Sequence, residues 1–390
     1  MALKQVNAKF SLPLIAAIFL LSGCNFAAEA DEKAPEPAAK AKAAPPAADP
    51  FASHDADAAG GADESGHTIM QAQVLLDRLG FAPGVIDDKM GMSTTNAIKG
   101  FQTANDLPVT GELDEATRAA LLQQKSLPAT RMVTIPADFA NQDFVTIPAA
   151  AEAKAKLAAL GYENLMEALA ERFHTTPDTL RALNSGATPV PAKEAGKTEA
   201  NAANATNDAA IFAAGKEIRV PNVGGDGEAG AEAAGDAAWK TTLKNLGISA
   251  QQPQAAKIVV DESDGVLRAF DAGGKLLVQF TATMGSKHDP LPIGSWKVNG
   301  VAYNPPFTYN PKLFWDVSDK KPKQQFKPGP NSPVGVVWID LSKEHYGIHG
   351  TPSPETIGRA ESHGCVRLTN WDAARLAMMV KPGVPVIFQK

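Results

Sequence analysis

Three of the chain's seven histidines, His345, His349 and His363, fall within the twenty residues before Cys365. Two strings hold them, His349-Gly350-Thr351 and Ser362-His363-Gly364-Cys365-Val366-Arg367-Leu368. Histidine and cysteine together can do two kinds of chemistry. They can ligate zinc, or an imidazole can take the proton of a thiol and make the sulfur a nucleophile. The spacing speaks against a metal. A step of four residues from His345 to His349 suits a helix face, yet Gly347, Gly350 and the β-branched neighbours favour a strand. Four residues of strand span about 13 Å, too far for two ligands of one ion. The nucleophile reading needs only that separate strands bring His349 to Cys365, leaving a thiolate–imidazolium pair. Gly364 lets the chain turn sharply before the sulfur. Backbone N–H groups around Gly364 and Cys365 could stabilise a tetrahedral oxyanion, while His363 could donate a hydrogen bond or orient the loop. Such pairs serve proteases and acyltransferases alike, so the residues alone leave the substrate open.

The other cysteine is Cys24. It follows Lys4, Lys9 and an apolar run from Leu12 to Leu21. That run is short for a spanning helix and has the flanks of a signal peptide. Leu21-Ser22-Gly23-Cys24 resembles a lipobox, which implies a lipoprotein signal over 1–24 with Cys24 lipidated as the mature N-terminus. Asn25 after it, rather than Asp, implies sorting to the inner face of the outer membrane. The expectation is an exported, lipid-anchored, periplasmic protein. Cys365 then has no intramolecular partner, and one leftover thiol in an exported chain suggests reactivity.

The elements that must position these groups show in the surrounding pattern. From Lys257 onward the apolar period is two and β-branched residues rise. Ile258–Val260, Val266–Phe270 and Leu276–Thr283 read as strands, with Gly273-Gly274 as a hairpin turn. Trp296–Val298, Val334–Leu341, Tyr346–His349 and Val384–Phe388 continue the series, and one helix is expected from Asn370 as N-cap to Met379. Residues 257–390 are therefore expected to form a mostly β domain with one helix. Between Tyr303 and Pro333 lie seven prolines and the aromatics Phe307, Tyr309, Phe314 and Trp315. We read this stretch as a lid over a groove, against the alternative of a rigid surface loop.

The chain of 390 residues has room for two or three domains. Its net charge of −6 speaks against a nucleic-acid binder. Residues 25–66 are rich in Ala, Pro, Asp and Lys, with almost no large apolar side chains, and read as a disordered tether. Over 67–125 the period turns helical. Met70, Val74, Leu75 and Leu79 make one stripe, Ala97, Ile98, Phe101 and Ala104 a second, and Asp114 can cap a third helix. Residues 150–221 give a stripe at Leu165, Leu169 and Phe173, a second helix opened by Thr176-Pro177-Asp178, an Ala/Asn-rich insertion from about 187 to 210, and a strand ending at Val220-Pro221. Residues 222–256 read as a linker.

Three segments resemble known families. Gln73-Leu75-Leu79-Gly80, Gly84-Ile86-Asp87, Phe101-Gln102 and Leu107-Pro108-Val109-Thr110-Gly111 resemble the peptidoglycan-binding domain type 1. Leu169-Ala170-Phe173, Leu180-Leu183-Asn184 and Gly215-Ile218-Val220-Pro221 resemble a LysM module. The His349 and Cys365 strings, with Asp289-Pro290-Leu291-Pro292-Ile293-Gly294 and Pro328-Gly329-Pro330-Asn331-Ser332-Pro333, resemble the L,D-transpeptidase catalytic domain, also called the YkuD domain. The resemblance implies a multidomain α+β chain whose catalytic part is a β-sandwich with one helix. It implies Cys365 as nucleophile, His349 as its base, and Gly350, Ser362, His363, Gly364 and Arg367 as residues that shape the site or hold substrate. The implied partners are peptidoglycan stem peptides and glycan, with no metal and no cofactor. The acyl acceptor stays open between a stem amine, which gives a 3→3 cross-link, water, as in an L,D-carboxypeptidase, and a lysine of a lipoprotein. A wall-binding scaffold without catalysis is the alternative of another class.

Overall fold

The computed structural model describes residues 49–51, 66–124, 126–185, 208–224, 235–313, 317–318, 320–362 and 364–390. The expected signal peptide with Cys24, most of the expected tether and insertion, Phe314, Trp315 and His363 lie outside the described residues.

The expected three helices form α1 (Thr68–Arg78), α2 (Met92–Ala104) and α3 (Glu115–Gln124), with a two-residue strand β1 (Phe81–Ala82) after α1. Asp114 caps α3 by accepting from Thr117 N at 2.8 Å. Gln73 and Gln102, both buried, spend their amides on the loops. Gln73 Oε1 accepts from Asp88 N at 2.9 Å and Gln102 Oε1 from Gly111 N at 2.9 Å. These motif residues thus act as core and turn staples.

The middle unit pairs β2 (Thr130–Thr134) with β3 (Glu217–Pro221), antiparallel, under α4 (Leu165–Arg172) and α5 (Pro177–Ser185). It therefore begins some twenty residues ahead of the expected boundary at 150, because its first strand is recognisable only through its distant partner. The tether expectation also needs correcting at one point. Phe51 is fully buried, with its ring edge-on to Phe139 and Phe173, and Asp49 pairs with the buried Arg172 at 2.6 Å. The one large side chain at that end of a polar stretch finds an apolar pocket, and Arg172 and Arg131 hold the Asp49 carboxyl below its ordinary range against the opposing effect of burial.

The expected linker 222–256 contains a helix, α6 (Ala237–Leu246). Asp236 caps it, Gly247 ends it at φ +67°, and Trp239, Leu243 and Leu246 bury one face against the C-terminal core. Burial of that face outweighs the linker-like composition around it. The strands that follow are β4 (Lys257–Asp261), β5 (Val266–Phe270), β6 (Leu276–Thr281), β7 (Thr283–Met284), β8 (Gly294–Tyr303), the hairpin β9 (Phe307–Tyr309) and β10 (Gln324–Phe326), β11 (Val337–Leu341), β12 (Gly347–His349), β13 (Val366–Arg367) and β14 (Pro385–Gln389). Helix α7 (Asn370–Met379) precedes β14. Its cap is Thr369, one residue before the expected Asn370. The strands make one ten-stranded sheet in the order β1-β6-β5-β4-β14-β8-β11-β12-β13-β7, beside the separate β9–β10 pair.

The first strand of that sheet comes from the three-helix unit. β1 runs parallel to β6, with Phe81 opposite Gln279. Gly80 permits the approach, since a Cβ there would lie 2.7 Å from Val278. A second junction is polar and buried. Asp77 of α1 takes His174 Nδ1 at 3.2 Å and Arg375 at 3.3 Å, and the His174 ring stacks on Trp371 at 4.8 Å. His174 and Arg375 hold the Asp77 carboxyl far below its ordinary range although burial opposes them. Three units meet at this one carboxylate.

Candidate active site

The site is built on three adjacent strands. β11 and β12 are antiparallel with Trp338 opposite His349, and β12 and β13 are parallel with His349 opposite Arg367. Residues opposite one another share a face of a sheet, so Arg367, His349 and Trp338 project to one side, and Cys365 lies in the bend two residues before Arg367.

Bare backbone is required here. A Cβ on Gly347 would lie 2.5 Å from the Trp338 ring, and one on Gly364 (φ +97°) would lie 2.7 Å from the Tyr346 ring. The Trp338 indole donates to Asp340 at 3.3 Å and stacks on the His349 ring at 5.6 Å. Sequence reasoning passed over Trp338, Tyr346 and Asn370. The hairpin register of β11 and β12 was the available signal for Trp338.

His349 is 5% exposed and its Nδ1 lies 2.7 Å from Gly350 O. A carbonyl can only accept, so Nδ1 carries the proton and Nε2 keeps its lone pair for a second partner. Burial, then the Arg367 cation, pull the His349 pKa down to about 4, against the Gly350 hydrogen bond. Burial pushes the Cys365 thiol up, against the Gly347 amide and Arg367. Among the described residues no hydrogen bond joins Sγ to the His349 ring, and Sγ faces the His345 carbonyl at 3.8 Å. Burial thus favours the neutral imidazole and the neutral thiol over the preformed thiolate–imidazolium pair expected from sequence.

The remaining expected residues fall as follows. Ser362 Oγ donates to Cys365 O at 2.6 Å, bracing the backbone of the nucleophile rather than its sulfur. Arg367 is half-buried, with a weak contact to Glu361 O at 3.4 Å and a buried Nε lacking a partner. Gly350 packs against the Asn370 side chain. The His345 ring is exposed and turned to Glu344, with Nε2 3.5 Å from its carboxylate. A cleft of about 1680 Å³ opens between the three units and is lined by Asp88, Glu167, Arg181, Asn331 and Ser353 but by neither Cys365 nor His349.

Neutral burial has a measurable consequence. Alkylation of Cys365 by iodoacetamide in the free protein should rise along a curve whose inflection lies above the ~8.5 of a free thiol. An inflection below about 7 would restore the resting ion pair. Stability is linked as well. The unfolded chain binds the His349 proton near 6.5 and the folded one near 4, so the contribution is whole above 6.5 and is lost as pH falls toward 4.

Residues 255–388 match the family described as "L,D-transpeptidase catalytic domain", and residues 65–121 match the "Putative peptidoglycan binding domain". The chain carries an L,D-transpeptidase catalytic domain. Within the curated relatives, "Putative L,D-transpeptidase YkuD" of Bacillus licheniformis is 50% identical over 60 residues, or 15% of this chain and 36% of the relative. Its Bacillus subtilis counterpart is 48% identical over 61 residues, or 16% and 37%. The chain thus spans little more than a third of the length of these relatives. Among solved structures, L,D-transpeptidase 3 of Mycobacterium tuberculosis with a faropenem-derived adduct is 20% identical, covering 35% of this chain and 60% of its own at a TM-score of 0.29. Glu171 and Asp77, which reach the L,D-transpeptidase domain from outside, lie beyond the matched 255–388.

Proposed function

We propose that the protein is a peptidoglycan L,D-transpeptidase with Cys365 as nucleophile and His349 as its general base. The observation that carries this reading is the His349 tautomer, locked through Nδ1 with Nε2 left to accept, on a strand paired with the one that directly follows Cys365. Nε2 takes the thiol proton as Sγ attacks the carbonyl of the third residue of a tetrapeptide stem. The C–N bond to the terminal D-Ala breaks, its amine leaves with the proton, and a thioester remains on Cys365. An acceptor amine then attacks the thioester, gives its proton to Nε2, and frees the thiol. Arg367, with one nitrogen lacking a partner, can take a substrate carboxylate. The three-helix unit would hold peptidoglycan, and the middle unit, with its strand–helix–helix–strand order, would act as a LysM-like second grip.

The test is incubation with purified tetrapeptide muropeptides, read by mass. Loss of D-Ala with dimer formation is the expected product. Tripeptide alone would make water the acceptor, and attachment appearing only with an added lysine-ended lipoprotein peptide would make that the acceptor. Unchanged tetrapeptide would leave the scaffold alternative standing.

A further inference from the structure

The catalytic histidine is held from outside its own domain. Asn370, fully buried at the start of α7, sits between two strand ends. Its Oδ1 accepts from Val336 N at 3.2 Å, just before β11. A Cβ on either Gly335 or Gly350 would run into that same oxygen. Gly350 supplies the carbonyl that fixes the His349 tautomer, and β11 carries the Trp338 ring stacked on His349. The Asn370 amide is thus wedged against both supports of the imidazole. Its Nδ2 donates to Pro330 O at 3.2 Å and, more closely, to Glu171 Oε1 at 2.6 Å.

Glu171 belongs to α4 of the middle unit and is 7% exposed. We propose that Glu171 is a positioning residue for the catalytic histidine, acting through Asn370. The inference rests on the reading of His349 as the base. An amide side chain can turn about its terminal torsion, and the short bond from Nδ2 to a carboxylate oxygen fixes which edge faces Val336 and Gly350. Docking alone does not call for a carboxylate. Burial costs its charged form and pushes the Glu171 acid up to about 7, against hydrogen bonds from Tyr162 and Asn370. An apolar side chain would join the two units with less penalty. What the carboxylate adds is direction.

Two readouts test this in the full-length protein: turnover of tetrapeptide muropeptides, and acylation of Cys365 by a carbapenem followed by mass. Glu171→Asp keeps the charge but withdraws the oxygen from Asn370. It is expected to lower kcat and the acylation rate about tenfold to a hundredfold, with KM within about twofold. Glu171→Gln keeps an acceptor for Asn370 and is expected to recover most of the rate. Glu171→Asp combined with Asn370→Ala should be no slower than Asn370→Ala alone, since both act along one path. Wild-type rates in Glu171→Asp would overturn the proposal. So would equal losses in Asp and Gln variants that track a fall in Tm. A wild type that reacts with carbapenem but leaves tetrapeptide intact removes the substrate reading while the carbapenem comparison still decides the role of Glu171.

Discussion

Cys365→Ala is expected to cut acyl transfer from a tetrapeptide stem by at least about 10,000-fold while leaving retention on sacculi unchanged. The size follows from the proposed chemistry, because no bond can form to the stem without the sulfur. Ser362 cannot take over, since its hydroxyl is committed to the Cys365 carbonyl at 2.6 Å. The fold should tolerate the change well. Sγ makes weak polar contacts only, with the His345 carbonyl at 3.8 Å and the Gly347 amide, so stability should move by no more than about 1 kcal/mol. Product mass and a sacculus pull-down on the same preparation check both halves. Residual turnover within tenfold of wild type would mean that another group does the chemistry. Loss of sacculus binding together with turnover would mean that the thiol is structural.

Asp77→Ala is expected to destabilise the whole protein by about 3–5 kcal/mol, a large share of the 5–15 typical of a domain. The carboxylate is fully buried and answers both His174 and Arg375, so its removal takes the acceptor from His174 Nδ1 and one of two carboxylates from Arg375 in a dry junction. Excising residues 66–224 should be more severe. It removes β1 from the edge of the ten-stranded sheet, leaves Gln279 without the Asn96 carbonyl it holds at 2.5 Å, and bares Trp371, on which His174 stacks. Urea unfolding followed by tryptophan fluorescence measures both. Read from sequence, residues 222–256 are a linker that leaves the β domain separate from the units before it. An unchanged midpoint for the excised form would restore that view.

The contrast shows what a sequence can and cannot disclose. Local period, turn residues and caps placed α1 to α3 and the strands of residues 257–390 closely, because each of those signals acts within a few residues. The two strings around His349 and Cys365 were legible for the same reason. The strand at Thr130–Thr134 was missed because its partner lies 91 positions away at the first pair, Thr130 facing Pro221. Helix α6 was missed because its Trp239–Leu246 stripe sits amid linker-like composition. The depressed proton affinity of His349 could not be read at all. It depends on burial and on Arg367 across a strand pair, which only the assembled sheet supplies.

The parallel pairing of Phe81–Ala82 with Gln279–Phe280 carries one more consequence. A binding unit on a flexible cord lets its enzyme sample a volume, with encounters set by cord length. Here the three-helix unit and the sheet next to Cys365 share a backbone ladder, so the offset between them is fixed. Under the proposed function, a strand held by the three helices would meet Cys365 at one distance and bearing. The fold would then act as a ruler laid on the wall, and the positions of its products should repeat with a regularity that no tether could impose.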